Sequence, residues 1–221
     1  MTELGYQRKV HRDDPYTDAA HLDGRWDEPI AIESLFAPAE SPFAIEIEIG
    51  GGRGLFAFER LAFDPEVRLL GLEIRKKWAT IVDRKLRATG LGGRSRCYAE
   101  DARVALPRLQ PGGRVRAVFL HFPDPWWKKR HEKRLVLGDV VQSNIERLLM
   151  PGGELFVQTD VEHRAAQYRA FLDERAALEP KGDAPGDPLL AENPYGARSP
   201  REKRAIADGL PIYRLRYAKR A

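Results

Sequence analysis

Hydrophobic and polar residues follow two patterns along the chain, and these predict strands and helices in turn. Short apolar or alternating runs predict strands, and these runs cover 44–49, 69–74, 95–99, 115–120, 154–159 and 211–217. Apolar residues at helical spacing predict helices, which cover a short run from Leu55, then 76–88, 135–149 and 161–177. Because strands and helices alternate, the sequence predicts an α/β fold with helices on both faces of a mostly parallel, doubly wound sheet.

The first 42 residues do not share this pattern. They are polar, are interrupted by prolines, and show no strong periodicity apart from a possible short helix near Ile30–Phe36. We therefore predict an N-terminal arm or extension over residues 1–42 and a single domain over residues 43–221. Inside that domain, the stretch 180–200 is rich in proline and glycine, which predicts a long loop.

The composition restricts the class of protein. With 221 residues, 43% of them apolar, the chain is large enough for one domain with a sizeable core. Its apolar stretches fall short of the roughly 20 residues of a membrane span, and its N-terminus lacks the apolar core of a signal peptide. A single cysteine, Cys97, excludes an internal disulfide, and the five histidines show no paired metal-ligand spacing. We expect a soluble, cytoplasmic protein without a metal site, either monomeric or homodimeric.

The segment from Phe122 to Arg134, FPDPWWKKRHEKR, combines three kinds of side chain at the end of a predicted buried strand. Asp124 lies between two prolines, which cannot continue a sheet, so its backbone is restricted. Two tryptophans follow, and then five Lys or Arg among seven residues. Each feature alone is more often structural. Together they suit a flat base attached to a phosphate backbone, and the net charge of +4 permits a nucleic acid partner.

A glycine loop, Gly50-x-Gly52-x-Gly54, follows the strand at 44–49. A dinucleotide fingerprint requires G-x-G-x-x-G, and its last position is Leu55 here, so the loop suits an adenosyl ligand without a pyrophosphate better than NAD. Acidic residues lie at the ends of nearly all the strands, where a carboxylate can accept from ribose hydroxyls. Helix capping explains single cases but not the series, which comprises Glu48, Glu73, Asp101, Asp124 and Asp160.

Together these motifs resemble the tRNA (guanine-N7-)-methyltransferases, the bacterial class with an S-adenosylmethionine-dependent, Rossmann-like fold. The resemblance spans residues 45–160, and the FPDPW block with its basic tail is its most specific part. The other matching pieces are Glu48-Ile49-Gly50, Gly71-Leu72-Glu73-Ile74, Asp101-Ala102, Pro151-Gly-Gly153 and Thr159-Asp160. The resemblance implies a Rossmann-like class I methyltransferase with S-adenosylmethionine as cofactor and tRNA as partner, acting on the guanosine of the tRNA variable loop.

The resemblance also implies roles for residues at matching positions. Asp124 would be the catalytic acid. The cofactor site would contain Glu48, Gly50, Gly52, Glu73, Asp101 and Ala102, and the substrate-binding residues would be Lys128, Asp160, Ser199 and Glu202. Ser199-Pro-Arg-Glu202 is the counterpart of the family's C-terminal Thr-Lys-Phe-Glu block and keeps a hydroxyl and the acid. Gly51 replaces the family's usual cysteine, a change that we expect to be harmless.

The chemistry of guanine indicates what Asp124 would do. N7 has a free lone pair, and its methylation leaves a positive charge on the ring. We therefore expect Asp124 to orient guanine and stabilise the developing cation by hydrogen bonding and electrostatics, and not by removing a proton. The basic residues that follow Asp124 would contact tRNA phosphates; these are Lys129, Arg130, Lys133 and Arg134. Basic residues near the end of the chain would extend that surface, namely Arg214, Arg216, Lys219 and Arg220.

Two other functions stay open on the residues alone. A methyltransferase for a small molecule would keep the cofactor acids, but it would not need five basic residues beside Asp124. A non-catalytic RNA-binding subunit on the same fold would be expected to have lost Glu73 or Asp124, and both are present.

Overall fold

A computed structural model describes residues 14–123 and 136–221. The strands in these ranges are β1 Ile30–Ala31, β2 Ala44–Ile49, β3 Val67–Leu72, β4 Ser95–Tyr98, β5 Leu109–Gln110, β6 Val115–His121, β7 Leu149–Thr159, β8 Leu178–Pro180 and β9 Tyr213–Lys219. Seven of them form one sheet in the order β4-β3-β2-β6-β7-β9-β8, and β1 pairs with β5. Five strands of this sheet, β4, β3, β2, β6 and β7, run parallel, whereas β9 is antiparallel to both β7 and β8.

Helices connect most of these strands. They are α1 Leu55–Phe63, α2 Lys76–Ala88, α3 Ala102–Arg108, α4 Asp139–Leu148, α5 Glu162–Asp173 and α6 Pro200–Ala207, with a short 3-10 helix at Ile32–Leu35. The predicted α/β fold with a mostly parallel sheet is confirmed. None of the helices in the described ranges is long and apolar enough to cross a membrane.

The structure differs from the predicted elements at several boundaries. The strand predicted at 69–74 is β3, which is displaced towards the N-terminus because its register with β2 pairs Val67 with Ala44 and ends at Leu72. Helices α3 and α6 were not predicted. Helix α3 is short and contains Pro107. Helix α6 does carry a start signal, since Ser199 caps it and Pro200 occupies its first turn.

The two faces of the sheet bury separate apolar clusters. In β2, Ile45, Ile47 and Ile49 belong to one cluster, and the alternate residues Glu46 and Glu48 point to the opposite face. Both carboxylates are nevertheless buried. A buried carboxylate requires a charged or hydrogen-bonding partner. Glu46 has two such partners, because the guanidinium groups of Arg60 and Arg116 lie 2.8 and 2.7 Å from one of its oxygens.

The described part of the predicted arm, residues 14–42, contacts the sheet domain. Leu22, Ile32 and Phe36 are buried in the apolar cluster that also contains the isoleucines of β2. Ion pairs join Asp14 to Lys76 and Asp18 to Arg84 on α2. This stretch therefore packs on the domain, and the division of the chain at residue 43 stays a prediction.

Candidate active site

The predicted site residues in the described ranges lie at one edge of the sheet. This edge is formed by the carboxyl ends of the parallel strands, and not by an outermost strand. In open α/β sheets, ligands bind there. Glu48 is the second-last residue of β2, Glu73 directly follows β3, and Asp160 directly follows β7. Because β9 is antiparallel, its first residues pair with Gln158 and Thr159 at the same edge.

The glycine loop that follows β2 requires glycine for its backbone. Gly50, Gly52 and Gly54 all have positive φ, at 75, 55 and 75°, a region in which other residues are strained. Among the described residues, no atom lies within 4 Å of a Cβ built at Gly50. The backbone at Gly50 is therefore open to a ligand that approaches closely.

Glu73 holds the glycine loop in place. Its buried carboxylate accepts hydrogen bonds from the Gly52 N–H at 2.9 Å and from the Arg75 N–H at 2.8 Å. The Arg75 side chain also donates to it, at 3.1 Å. The acid predicted to accept from the ribose thus also connects the ends of β2 and β3, and its oxygens face two backbone amides.

Glu48 lies beneath the same loop and contacts a histidine. Its Oε1 is 3.3 Å from Nδ1 of His121, the last residue of β6, and both side chains are buried. The Glu48 carboxylate and the His121 imidazole are therefore hydrogen-bonding partners. A Cβ built at Gly51 would lie 2.6 Å from Glu48 Oε2. Glycine at position 51 therefore leaves room for the Glu48 carboxylate in this orientation.

Asp101 begins α3 as its N-cap. Its carboxylate accepts from the Arg103 N–H at 2.9 Å and from the Arg103 guanidinium at 3.0 Å. Burial alone would raise the pKa of Asp101, but the hydrogen bonds from Arg103 outweigh burial and hold that pKa below its ordinary value. Ala102, the adjacent predicted cofactor residue, is buried. The Asp101 carboxylate is therefore ionised at neutral pH and available as an acceptor.

The predicted substrate residues come together around α6. Asp160 forms an ion pair with Arg201 on α6. Glu202 is fully buried, and its carboxylate accepts from Arg214 at 3.1 Å and from the Asn193 amide at 2.8 Å. The Ser199 hydroxyl accepts from the Glu202 N–H at 3.1 Å. The buried position of Arg214 corrects one expectation, since this side chain neutralises Glu202 and does not extend a surface for phosphate.

The rest of the predicted site lies outside the described residues. This applies to the catalytic residue Asp124 and to the basic tail, Lys128, Lys129, Arg130, Lys133 and Arg134. Of the FPDPW motif, the described residues are Phe122 and Pro123. Phe122 has a φ of 46°, unusual for a residue other than glycine, and its N–H donates to the Gln158 carbonyl at 2.8 Å. The first residue of the motif is therefore bonded to the second-last residue of β7, two positions before Asp160.

Sequence reasoning missed two polar residues at this edge, His121 and Gln158. Both are buried, and they are paired neighbours in the register of β6 and β7. The sequence contains a weak signal for each, because a polar side chain lies in the last two residues of a mostly apolar strand, just before a predicted acidic motif.

The described residues fit S-adenosylmethionine. The open glycine backbone at Gly50 leaves room for a ligand, and Glu73 and Asp101 offer carboxylate oxygens that suit the hydroxyl and amino groups of an adenosine. Glu48 adds a third acid beneath the loop. Among the described residues, no group of three or more His, Cys, Asp or Glu is arranged to hold a metal ion.

Comparison with known proteins agrees with this description. A family model described as a putative methyltransferase matches residues 43–215. Among solved structures, the 16S rRNA methyltransferase KamB superposes with a TM-score of 0.58 at 14% identity, covering 86% of this chain and 91% of that one. An S-adenosylmethionine-dependent O-methyltransferase from Thermotoga maritima superposes with a TM-score of 0.51 at 18% identity, covering 82% and 61%. Fold and site together define a class I S-adenosylmethionine-dependent methyltransferase.

Similarity in sequence defines the family. The chain is 38% identical to the tRNA (guanine-N(7)-)-methyltransferase of Myxococcus xanthus over 178 residues, which cover 80% of this chain and 84% of that protein. It is 39% identical to the protein of the same name from Anaeromyxobacter dehalogenans over 176 residues, which cover 79% and 85%. The chain belongs to the tRNA (guanine-N7-)-methyltransferase family.

Proposed function

We propose that this enzyme transfers a methyl group from S-adenosylmethionine to N7 of a guanine in tRNA, at the guanosine of the variable loop. The observation that carries this proposal is the division of the sheet edge into two acidic halves. Glu48, Glu73 and Asp101 lie at the ends of the neighbouring strands β2, β3 and β4, whereas Asp160 and Glu202 lie on the other side of β6, where the FPDPW motif begins. The family to which the chain belongs supports the same activity.

The reaction needs alignment and charge stabilisation more than proton transfer. S-adenosylmethionine supplies an electrophilic methyl group on a sulfonium. The N7 lone pair forms the new bond to carbon as the bond from carbon to sulfur breaks, and the positive charge moves to the guanine ring. Holding the two partners in line can contribute on the order of 7–11 kcal/mol. Asp124 is proposed to lie beside the ring and to offset the new charge.

The acids of the substrate half suit the rest of the base. A carboxylate accepts hydrogen bonds, and guanine presents donors at N1 and at its exocyclic amine. Asp160 lies at the edge in an ion pair with Arg201, so a substrate donor that replaces Arg201 would find a charged acceptor there. The target base has to leave its stack to enter such a pocket. Together with the single cysteine, a tRNA substrate favours a cytoplasmic location.

The direct test is the product. The purified protein is incubated with unmodified tRNA and S-adenosylmethionine, the RNA is digested, and N7-methylguanosine is measured by mass spectrometry. Chemical cleavage at N7-methylguanosine then locates the modified position. We expect product in the variable loop with the wild type and with Asp27→Asn, an exposed control, and at least a hundredfold less with Asp124→Ala.

One result would count against the proposed activity, and another would count only against the role of Asp124. If the wild type forms no product but still binds S-adenosylhomocysteine, a small-molecule methyltransferase would be favoured. A wild-type rate in Asp124→Ala would remove Asp124 from the mechanism and leave the activity intact.

A further inference from the structure

Gln158 occupies an unusual position at the sheet edge. It is the second-last residue of β7 and directly precedes Thr159 and Asp160. Its carbonyl accepts from the Phe122 N–H, so its backbone is bonded to the first residue of the FPDPW motif. On its other side it pairs in register with Arg214, which holds Glu202. Gln158 therefore lies between the two groups of residues that are predicted to contact guanine.

The side-chain amide of Gln158 has no hydrogen-bond partner among residues 14–123 and 136–221, at either its nitrogen or its oxygen. The residue is also fully buried, with 0% of its surface exposed. Buried polar groups are nearly always hydrogen-bonded, because burial without a partner is unfavourable. Residues 14–123 and 136–221 therefore leave both ends of this amide without a partner, on a residue whose backbone is bonded to Phe122 and which lies two positions before Asp160.

The proposed contacts leave one polar group of guanine without a partner, its carbonyl oxygen O6. The proposed acids Asp124, Asp160 and Glu202 can accept from N1 and from the exocyclic amine, but an ionised carboxylate cannot donate to O6. Two described donors near Glu202 are already used. The Asn193 amide donates to Glu202 and to the Ala197 carbonyl, and Arg214 donates to Glu202 and to the Ala191 carbonyl.

A neutral donor also suits the charge change of the reaction. The guanine ring becomes cationic as N7 is methylated, so a lysine or arginine at O6 would oppose the developing charge. A glutamine amide donates without adding a positive charge. The same amide leaves N7 itself free to react, since it binds at the neighbouring O6.

We propose that Gln158 is a specificity-determining residue whose amide N–H donates to O6 of the target guanine. This assignment rests on the proposed function. Guanine would then be recognised by acceptors for its two Watson–Crick donors and by one donor for its carbonyl oxygen. Adenine presents an amino group at the position of O6 and has no donor at N1, so it mismatches both kinds of contact.

The test separates O6 from the other groups of the base. Three tRNAs are ligated with guanosine, 6-thioguanosine or inosine at the target position. Sulfur is a weak acceptor, so 6-thioguanosine weakens the contact at position 6, and only its N7-methylated product is counted, whereas inosine removes the exocyclic amine. Single-turnover methylation is measured with saturating wild type and with Gln158→Met, which keeps the length of the side chain and removes the amide. The matched control is Gln142→Met, another fully buried glutamine, on α4.

We expect the wild type and Gln142→Met to methylate 6-thioguanosine about 10–100-fold more slowly than guanosine. Gln158→Met should methylate guanosine about 10–100-fold more slowly than the wild type does. Replacing guanosine by 6-thioguanosine should then slow this variant by less than about a further twofold. Replacing guanosine by inosine should slow methylation by Gln158→Met by the same factor as methylation by the wild type. Binding of S-adenosylhomocysteine and the midpoint of thermal unfolding show whether each variant is folded, and Gln158→Leu repeats the test if the Met variant is not.

Two outcomes would overturn the assignment. An undiminished 6-thioguanosine penalty in Gln158→Met would show that the amide is structural. A penalty that disappears in Ser199→Ala instead would assign the O6 contact to the Ser199 hydroxyl. The wild-type reaction on guanosine tests the activity itself, so a failure of the proposed function is distinguishable from a failure of this assignment.

Discussion

The Gly52 amide donates a hydrogen bond of 2.9 Å to the Glu73 carboxylate, which joins the glycine loop after β2 to the acid after β3. One carboxylate thus orders the loop and is placed to accept from the cofactor. We expect Glu73→Gln to weaken binding of S-adenosylmethionine about 10–100-fold, because the neutral amide is a weaker acceptor for the loop and the ribose. Isothermal titration calorimetry measures the affinity.

Glu66→Gln is the control for Glu73→Gln, since Glu66 is an exposed acid on the turn before β3. An affinity unchanged in Glu73→Gln would show that the carboxylate charge is not needed for cofactor binding. A parallel loss in both variants would indicate a general effect of charge on the site.

The buried pair of Glu202 and Arg214 predicts a large effect on stability. The guanidinium lies 3.1 Å from the carboxylate, and both side chains are almost fully enclosed. Removing one partner leaves the other charge buried and unpaired, so Glu202→Gln and Arg214→Met should each lower the free energy of unfolding by about 3–5 kcal/mol. The double variant should lose less than either single variant. Urea denaturation at pH 7 measures all three.

This pair also affects how activity data are interpreted. If Glu202 contacts guanine, Glu202→Gln should slow methylation even at temperatures where the variant is fully folded. The double variant provides the control, because it restores the charge balance without restoring the carboxylate. Equal stability of the single and double variants would contradict the view that the unpaired charge causes the loss.

Asp64 predicts how stability depends on pH. Burial alone would raise the pKa of Asp64, but hydrogen bonds from Arg116 and from the Glu66 N–H outweigh burial and lower that pKa below its ordinary value. A carboxyl group with a lower pKa in the folded state stabilises the fold above the unfolded-state pKa, which is about 3.9. This contribution is lost as the pH falls through the folded-state pKa.

We therefore expect Asp64→Asn to lower the urea midpoint at pH 7 and to show a smaller further decrease between pH 5 and pH 3 than the wild type. The exposed variant Asp27→Asn should follow the wild-type profile. A profile for Asp64→Asn that runs parallel to the wild type would show that Asp64 does not contribute to acid unfolding.

The basic tail of the FPDPW motif predicts the effect of salt on tRNA binding. Each phosphate neutralised by Lys or Arg contributes about 0.7–0.9 to the slope of log K against log salt. Replacing Lys128, Lys129, Arg130, Lys133 and Arg134 by alanine should lower that slope by about 3.5–4.5. Filter binding between low and moderate ionic strength measures it. Alanine at the exposed Arg25 and Lys181 is the control, and an equal change there would contradict a localised phosphate surface.

The sequence predicted six of the seven strands of the main sheet, because they are apolar or alternating runs, but it missed the short strand β8 and the helices α3 and α6. It also identified Glu48, Glu73 and Asp160 at the ends of strands, where the structure brings them to one edge. It could not show that Arg214 is buried against Glu202, because the alternating pattern of β9 does not reveal which face a helix covers. Gln158 was missed for a similar reason, since an unpaired amide is a property of its surroundings and not of its position in the sequence.

Gly54 and Val82 predict how tightly the glycine loop packs on α2. Gly54 has a φ of 75°, and a Cβ built there would lie 2.7 Å from the Val82 Cγ1. Gly90 has a φ of 77°, and no described atom lies within 4 Å of a Cβ built there. Gly90→Ala should thus report backbone strain alone, about 1–2 kcal/mol, whereas Gly54→Ala should lose about 1–3 kcal/mol more from overpacking.

The double variant Gly54→Ala with Val82→Ala separates the two contributions. Removing the valine methyl groups opens space for the new Cβ, so the double variant should lose at least about 1 kcal/mol less than the sum of the single variants. Combining Val82→Ala with Gly90→Ala should give additive losses. Urea denaturation measures the free energies of unfolding, and calorimetry with S-adenosylhomocysteine shows whether the loop still binds. Additive losses in both combinations would mean that the loop relaxes away from α2, and that contact with Val82 does not fix its position.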